Sequence, residues 1–375
     1  MSDGKDTPIL RVENLRAFYT SKSGLVRAVN DVTFEIKEGE AVGLFGESGS
    51  GKTSIALAIL GIFDRMSRYY ASTSGDNENQ QLWALRDKAK KQGRTSEEME
   101  IDLPGVEGHI WYKGNDLVAL DEKEYRKIRG NEITYVPQGT AMSLNPYSKI
   151  APQIAEALWT HDEDGVFWER EVARLVLEAL DLVELADPDI RQNLKPSEFS
   201  MGEDQRILIA MALITNPVLM IADEPTTAVD VGVQRRVLDA IMLVRDKLKI
   251  AFLIISNDQG MIAQTCDKIA VMSAGRIMEF GDVKTVLVSP GHPFTRALIM
   301  SNPSMEVIRK IREKGLRIRG IPGKPPDMTN LPPGCPFSPR CDYAQDICRE
   351  QIPEYREVEP GHWIFCHRYE KLPKF

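Results

Sequence analysis

The stretch GESGSGKT, from Gly46 to Thr53, constrains the fold of this 375-residue chain more than any other segment. It matches the pattern G-x-x-x-x-G-K-[ST] and lies between an apolar, strand-like run at Ala41 to Phe45 and a helical pattern. Glycines at these positions allow successive backbone N–H groups to turn inward around phosphate groups, and the N-terminus of the following helix adds a partial positive charge. The sequence therefore predicts a strand, a phosphate-binding loop and a helix here.

A second motif, VLMIADEP, supplies the other half of a nucleotide site. We expect Lys52 to reach the β- and γ-phosphate oxygens of ATP and Thr53 to ligate Mg²⁺. Asp223 ends the apolar strand of this motif and can hold the water shell of the Mg²⁺, and Glu224 beside it is placed to polarise an attacking water. The other loop residues that we predict to bind ATP are Gly46, Ser48, Gly49, Gly51 and Ser54.

The bulk composition argues against several other classes of protein. A net charge of -8 disfavours a protein that holds nucleic acid through its phosphates, because that requires a basic face. The longest apolar runs, 207–214 and 250–255, are far shorter than the ~18 residues that a membrane-spanning helix needs. The amino terminus lacks a basic region followed by an apolar one, so we expect no secretory signal and a cytosolic location.

Short apolar runs alternate with helical patterns along most of the chain, which predicts a largely parallel sheet covered by helices. Residues 9–40 alternate instead and carry glycines at likely turn positions, which predicts an antiparallel β region. Residues 67–105 are polar and carry both charge signs, which predicts a solvated insertion with some helix. From residue 315 onward the prolines exclude a regular helix or a central strand. The strand-like runs are 41–45, 133–136, 218–222, 251–255 and 268–272.

Four of the five cysteines crowd into the tail at the spacing C-x5-C-x6-C-x17-C. In a reducing compartment such a group favours metal binding over disulfides. The gaps are wider than the paired C-x2-C of a typical structural zinc site, and they suit the separated iron corners of a cubane cluster, with zinc as the alternative. His367 is a candidate replacement for one ligand. The four predicted ligands are Cys335, Cys341, Cys348 and Cys366.

The order of these motifs resembles that of the ATP-binding subunits of ABC transporters, and among them the oligopeptide/dipeptide importer ATPases. The resemblance covers almost the whole chain and is carried by the phosphate loop and by YVPQGTAMSLNP, EFSMGEDQRILIAMAL, IADEPTTAVD and IISNDQG. It implies that Tyr19 stacks on adenine and that Gln138 senses Mg²⁺ in a loop that contacts the membrane subunits. It places Asp230 in a loop that crosses the interface between two ATP-binding subunits.

The fold class that this resemblance implies is an α/β, ABC-type P-loop ATPase. It has a mixed β core, an antiparallel β subdomain and a helical subdomain that carries the signature peptide, at about residues 140–215. The ATPase domain would occupy residues 1–288, including the insertion at 67–105. Residues 289–375 would form an irregular, metal-binding extension, and the likeness of HPFTRALIMSNPS and the following Pro-rich segment to the importer ATPases implies a [4Fe–4S] cluster there.

The resemblance also implies partners. Two ATP-binding subunits pair head to tail, here as a heterodimer, and each ATP lies between the phosphate loop of one subunit and the signature peptide of the other. Closure of this dimer by ATP drives two transmembrane permease subunits, which an extracellular solute-binding protein supplies with oligopeptides, dipeptides or a related solute such as an oligosaccharide. The chain would then lie at the cytoplasmic face of the membrane as a peripheral subunit.

Two positions depart from the family pattern. In the signature peptide, Ser200 and Gly202 are retained but Met201 replaces a glycine whose missing Cβ lets the backbone approach the partner's ATP. After the strand in IISNDQG, Asn257 replaces a histidine that bridges the γ-phosphate and the attacking water, and asparagine cannot shuttle a proton. We therefore predict normal ATP binding and slowed hydrolysis at the chain's own site.

Two other functions remain as alternatives at this stage. A regulatory subunit that binds ATP but hydrolyses it weakly or not at all is favoured by Met201 and Asn257 and disfavoured by the intact Glu224. A soluble ABC ATPase that acts on ribosomes or DNA is disfavoured by the single ATPase unit, the acidic charge and the importer-like tail.

Overall fold

The structure is a computed structural model, and it describes residues 7–73, 77–96, 98–139, 143–162, 165–227, 231–301 and 320–373. The internal contacts of the chain divide it into two units. The first unit comprises Met1–Ile9, Ile36–Val42 and Ala119–Ser256, and the second comprises Leu10–Glu35, Gly43–Val118 and Asn257–Phe375.

Three adjacent parallel strands lie at the centre of the first unit. They are β6 (Ile133–Val136), β7 (Leu219–Asp223) and β8 (Ala251–Ser256). β7 pairs with both neighbours, with Tyr135 opposite Ile221 and Asp223 opposite Ile255. Both faces of β7 and β8 are buried, which explains why their sequences are continuous apolar runs. The strands predicted in this part of the chain are confirmed.

The described residues of the first unit form six helices. The longest, Val231–Leu248, follows the Asp223 motif and packs against the helix that starts at the signature peptide. The helices are α4 (Glu122–Ile128), α5 (Ile150–Trp159), α6 (Glu169–Leu182), α7 (Pro188–Arg191), α8 (Met201–Leu213) and α9 (Val231–Leu248).

The second unit contains the predicted antiparallel region. Its four-stranded sheet has the order β2-β1-β4-β5. β1 pairs antiparallel with β4, with Leu10 opposite Tyr112, and β4 pairs antiparallel with β5. The strands are β1 (Pro8–Ser21), β2 (Gly24–Lys37), β4 (Gly105–Tyr112) and β5 (Asn115–Asp116).

Further strands of this unit lie side by side in the order β11-β12-β10-β9-β3. The hairpin of β11 and β12 comes from the C-terminal tail, and β12 pairs antiparallel with β10, with Glu279 opposite Ile364. The expectation of a wholly irregular extension is therefore wrong for this part, because the strand-forming HWIF lies beyond the prolines. The strands are β3 (Ala41–Gly46), β9 (Lys268–Ser273), β10 (Arg276–Asp282), β11 (Tyr355–Glu359) and β12 (His362–Phe365).

A buried carboxylate joins the extension to β10. Glu279 is fully buried, and its two oxygens accept hydrogen bonds from the backbone amides of Gly291 at 2.7 Å and His292 at 2.9 Å. The ring Nε2 of His362 on β12 lies 2.8 Å from the same carboxylate. A buried carboxylate is tolerated only when such partners surround it, so this network fixes the register of the hairpin against β10.

Seven helices are present in the described part of the second unit, and the insertion supplies some of them. The predicted helix in residues 67–105 is present, but the segment is not simply solvated, since Trp83 is 5% exposed. The Arg68 guanidinium stacks over its ring at 4.2 Å and pairs with Asp87 at 2.6 Å. The helices are α1 (Lys52–Ile59), α2 (Phe63–Thr73), α3 (Asn77–Lys91), α10 (Gln259–Thr265), α11 (Val283–Val288), α12 (Pro293–Ser301) and α13 (Asp346–Glu350). Within the described ranges, no helix has the length and apolar character that crossing a bilayer requires.

Candidate functional site

The phosphate loop lies in the second unit between β3 and α1, as predicted. The Nζ atom of Lys52 is buried and donates hydrogen bonds to the backbone oxygens of Gly46 and Glu47, each at 2.9 Å. The ammonium group is therefore already held inside the loop by its carbonyl groups. Ser48, Gly49 and Thr53 are exposed and Ser54 is half-buried, so the outer side of the loop is open to a ligand.

Two loop glycines are required by the packing of the loop itself. Gly51 has a φ of 103°, and a Cβ there would lie 2.0 Å from the backbone oxygen of Ala28. A Cβ on Gly46 would lie 2.2 Å from the backbone oxygen of Met272. Both distances are far below van der Waals contact, so only glycine fits at these positions. The amide of Gly275, at the turn between β9 and β10, donates to the Ser50 oxygen at 3.0 Å and fixes the loop from the other side.

Tyr19, the predicted adenine-stacking residue, lies on β1 in the same unit. Its ring is 36% exposed, and its edge contacts the ring of Phe63 at a centroid distance of 6.3 Å. The ring is thus held by an edge-to-face aromatic contact while the side chain stays accessible. Its role against adenine stays a prediction.

The side chains of Asp223 and Tyr135, both in the first unit, are joined by a hydrogen bond. Asp223 is 1% exposed at the end of β7, and the Tyr135 hydroxyl on β6 donates to its Oδ2 at 3.1 Å. Burial, followed by the charge of Asp223, raises the pKa of Tyr135, so the phenol stays protonated and acts as a donor. Sequence reasoning missed Tyr135, since the two residues are 88 positions apart and no spacing links them.

Glu224 and Gln138, both predicted catalytic residues, are brought together by the structure. Gln138 Nε2 donates to Glu224 Oε2 at 2.7 Å, and the Thr227 hydroxyl donates to the same oxygen at 2.8 Å. The backbone of Glu224 adopts a φ of 46°, a conformation that a non-glycine residue rarely takes. The backbone amide of Glu224 donates a hydrogen bond to the backbone oxygen of Ile255 at 2.8 Å. The carboxylate is therefore fixed in orientation by groups from two loops.

The signature peptide begins helix α8 in the first unit. Glu203 accepts hydrogen bonds from the Ser200 amide at 2.9 Å and the Ser200 hydroxyl at 2.8 Å. This is the glutamate half of a capping box. Arg191 donates to the other oxygen of Glu203 at 2.7 Å, and this contact is the main cause that lowers the pKa of Glu203 to about 2.

Met201 and Gly202 differ in what surrounds them. The Met201 side chain is 48% exposed on the first turn of α8. Gly202 is buried, and a Cβ there would lie 1.9 Å from Cγ1 of Val233 on α9. Gly202 is thus required by helix packing inside the chain, whether or not it also contacts a nucleotide. The contacts of Ser200 and Gly202 with a partner's ATP stay predictions.

Asn257 follows β8 and is exposed. The turn after Asn257 is capped by Asp258, whose Oδ1 accepts hydrogen bonds from the amides of Gly260 at 2.7 Å and Met261 at 3.3 Å. The local structure therefore gives Asn257 no capping function. Asp230 lies outside the described residues.

The four tail cysteines line one pocket of the second unit. Its walls also include His292, Phe337 and His367, and with its opening to solvent it measures about 330 Å³. None of the cysteines forms a disulfide. Burial raises the pKa of Cys335 to about 12 and that of Cys341 to about 11, and nearby cysteines contribute to both shifts. Without a cation in the pocket, these thiols stay protonated at neutral pH.

The pocket lacks the geometry of a site for a single metal ion. Within the part of the chain that the structure describes, no three His, Cys, Asp or Glu side chains converge closely enough to hold one metal ion. A single zinc ion needs its sulfur ligands at ≈2.3 Å from one point. The arrangement therefore does not match a preformed single-ion site, although four thiols of suitable chemistry share one pocket.

Comparison with known proteins identifies the family. The protein-family model described as "ABC transporter" matches residues 29–102 and 95–227 of this chain. The family model described as "Oligopeptide/dipeptide transporter, C-terminal region" matches residues 278–348. The probable peptide ABC transporter ATP-binding protein y4tR of Sinorhizobium fredii is 36% identical over 371 residues, which is 99% of this chain and 98% of that protein. The oligopeptide transport ATP-binding protein OppD of Escherichia coli is 33% identical over 360 residues, 96% of this chain and 93% of that protein.

Solved structures agree in fold. The dimeric, post-hydrolysis structure of the ATP-binding cassette MJ0796, bound to ADP and Pi, matches with a TM-score of 0.55 and 23% identity, covering 73% of this chain and 98% of that one. The cbiO1 protein of Clostridium perfringens matches with a TM-score of 0.58 and 20% identity, covering 82% and 96%. The chain has the ATP-binding cassette fold and is an ABC-type ATPase. It belongs to the ATP-binding proteins of oligopeptide/dipeptide ABC transporters.

Asp204, beside the signature peptide, yields a pH-dependent prediction. Its Oδ1 is buried and finds no donor among the described residues, and burial, followed by the charge of Glu203, raises its pKa to about 6. The Asp204 carboxyl group therefore holds its proton more tightly in the folded state than in the unfolded state. Protonation of Asp204 thus stabilises the folded state at low pH, and this contribution is lost as the pH rises through about 6. Because the side chain is only half-buried, we expect Asp204→Asn to raise the free energy of unfolding by ~1 kcal/mol at pH 7.5 and by almost nothing at pH 4.

Urea denaturation of the full chain at both pH values measures this difference. Asp246→Asn, which removes an exposed carboxylate on α9, is the matched control and should change stability at neither pH. An equal gain at both pH values, or a loss at pH 7.5, would contradict the assignment.

Proposed function

We propose that this chain binds and hydrolyses ATP to energise the import of peptides through an ABC transporter. The observation that carries hydrolysis is the Glu224 carboxylate at the end of β7, held by Gln138 at 2.7 Å and Thr227 at 2.8 Å. A base must be held in position to activate a water in line with the γ-phosphate. The names of the curated relatives, which are peptide import and oligopeptide transport ATP-binding proteins, support peptides as the cargo.

The residues of the phosphate loop bind the nucleotide in this proposal. The amides of Gly46, Ser48, Gly49 and Gly51 surround the phosphates, and Lys52 exchanges its carbonyl partners for phosphate oxygens. Thr53, Asp223 and Gln138 each carry an oxygen of the kind that Mg²⁺ prefers, and we assign them to this cation, which would neutralise the phosphate charge that develops during transfer. Tyr135 orients Asp223 through its hydroxyl.

Exposed aromatic side chains on the first unit support the proposal that it binds protein partners. Tyr147, Trp159 and Trp168 are 87%, 51% and 80% exposed, which is unusual for such large apolar side chains. An open groove of about 1150 Å³ also lies between α4 and the end of α5. Its walls combine basic residues of α4 with Phe167. We assign this surface to a cytoplasmic segment of the permease subunits, so the chain would lie peripherally at the cytoplasmic face of the membrane.

A second ATP-binding subunit would complete the site. We propose a head-to-tail heterodimer in which the partner's ATP meets Ser200 and Gly202 of this chain. The dimeric form of the MJ0796 cassette supports such pairing. The exposed Met201 side chain would stand at this interface and keep the partner's phosphate from the backbone beneath it.

A regulatory, weakly hydrolysing subunit is the second candidate. Asn257 favours it, because an exposed asparagine with no capping role stands where the family resemblance implies a histidine. The fixed Glu224 favours hydrolysis, so we assign the chain a slowed rather than an absent reaction.

Replacing Glu224 with Gln distinguishes the two candidates. Loss of a positioned general base costs about 10²-fold or more in turnover, whereas a regulatory subunit would lose little. Phosphate release by the full chain, alone and assembled with its membrane subunits, is the measurement, and ATP affinity should not fall. Glu156→Gln, an exposed glutamate on α5, is the control. Turnover within twofold of the unmodified chain would refute the catalytic role.

Replacing Asn257 with His tests the slowed hydrolysis. A histidine can bridge the γ-phosphate and the attacking water and relay a proton, so we expect turnover in the assembled transporter to rise several-fold at unchanged KM for ATP. Asn257→Ala should give no rise. Unchanged or lower ATPase activity of the histidine variant would show that Asn257 does not limit the rate.

We further propose that the tail cysteines hold a [4Fe–4S] cluster, with zinc as the alternative. Four thiols that line one pocket support this assignment, because a [4Fe–4S] cluster is held by four cysteine thiolates. Its role would be to stabilise a Pro-rich segment with little core of its own.

Metal content after anaerobic purification tests this assignment. We expect visible absorption and about four iron atoms per chain for a cubane cluster. Cys348→Ser should lower the iron content, whereas Cys266→Ser, which changes the one cysteine outside the tail, should leave it unchanged. About one zinc without colour would establish the alternative, and the absence of both metals would reject a metal site.

A further inference from the structure

The phosphate loop and the C-terminal extension are joined by an ion pair. Both terminal nitrogens of Arg340 donate to the Glu47 carboxylate, Nη1 to Oε2 at 2.9 Å and Nη2 to Oε1 at 2.7 Å. The side chains are 7% and 20% exposed. A bidentate pair of this kind is strong and has one geometry, and burial shields it from solvent.

Arg340 is itself held by the extension. Its Nε donates to the backbone oxygen of Pro322 at 2.8 Å, and its guanidinium carbon lies 5.7 Å from the ring centre of Phe337. Phe337 packs against Phe294 and lines the cysteine pocket, and Arg340 directly precedes Cys341. The position of the guanidinium therefore depends on the folding of the extension.

Glu47 is itself part of the machinery that holds Lys52. The backbone oxygen of Glu47 accepts one of the hydrogen bonds of the Lys52 ammonium, at 2.9 Å. A displacement of Glu47 would therefore also displace the group that is expected to meet the β- and γ-phosphates. In addition, a carboxylate without a counter-ion in this loop would repel a polyanionic ligand.

The extension makes a second contact beside the loop. The amide of Arg27 on β2 donates to the oxygen of Met328 at 3.0 Å, and its side chain donates to the oxygen of Thr329 at 3.2 Å. The next residue, Ala28, supplies the oxygen that leaves no room for a Cβ on Gly51. The extension thus contacts both the loop and the strand against which the loop packs.

We propose that Arg340 is a positioning residue for nucleotide binding. It neutralises Glu47 and fixes the geometry of the phosphate loop, so the folded state of the four-cysteine extension is transmitted to the ATP site. This inference rests on the proposed phosphate site.

Affinity for a fluorescent ATP analogue, measured on the full chain, tests the proposal. We expect Arg340→Ala to raise Kd by about tenfold through the freed carboxylate and the loosened loop, and Arg340→Lys to raise it by about threefold, because lysine keeps the charge but not the bidentate fork. The double variant Arg340→Ala/Glu47→Gln should recover to within about threefold of the unmodified chain, since the uncompensated charge is gone.

Arg349→Ala is the matched control, since Arg349 pairs with Asp346 at 3.1 Å in the same extension but is exposed. It should leave Kd within twofold. Urea denaturation run in parallel separates binding from folding, and Arg340→Lys and the double variant keep the test decisive if Arg340→Ala does not fold. Unchanged affinity in the folded Arg340 variants, or a double variant as weak as Arg340→Ala, would overturn the proposal.

Lys52→Ala separates this inference from the proposed phosphate site. It should abolish binding of the analogue. If binding survives in Lys52→Ala, the phosphate site itself is wrongly assigned. If Lys52→Ala abolishes binding while the Arg340 variants bind normally, the phosphate site stands and only the role of Arg340 fails.

Discussion

The backbone of the phosphate loop packs directly against two other strands, and the second unit is built around these contacts. Gly46 and Gly51 leave no room for a Cβ next to the carbonyl groups of Met272 and Ala28. The conformation in which the loop would surround a phosphate therefore depends on the positions of β9 and β2 beside it. Lys52 is held within the same loop by two carbonyl oxygens before any nucleotide arrives. Such pre-organisation lowers the conformational cost of binding.

In the first unit, hydrogen-bond donors likewise orient the two acids that we propose to act in hydrolysis. Tyr135 donates to Asp223 across the parallel pair of β6 and β7, and Gln138 and Thr227 hold Glu224 just beyond the end of β7. Each acid has its orientation set by a donor from a neighbouring segment. At the signature peptide, Arg191 and Ser200 hold Glu203, while Asp204 beside it is left with a raised pKa of about 6. The start of α8 thus carries both a well-satisfied and a poorly satisfied carboxylate.

The C-terminal extension is more closely integrated than its composition predicts. Its hairpin adds two strands to the sheet through β10, the buried Glu279 fixes that attachment, and Arg340 connects the Pro-rich part to the phosphate loop. A segment that holds little apolar core of its own is thereby anchored by polar contacts. These contacts give the extension a route to influence the nucleotide site without forming part of it.

Local patterns in the sequence were sufficient to predict strands β3 and β6 to β9, the phosphate loop and the acids at the end of β7, but not the strands of the C-terminal hairpin. Each successful prediction depends on a short-range property: apolar runs, glycine spacing or a motif of eight residues or fewer. The partners of these groups could not be predicted in this way. Tyr135 and Asp223 are 88 residues apart, Arg340 and Glu47 are 293 residues apart, and Gly202 is required by Val233 on another helix. The sequence by itself determined which residues are candidates for the chemistry, and only the tertiary structure decided which groups hold them in place, because long-range contacts leave no periodicity or spacing in the chain.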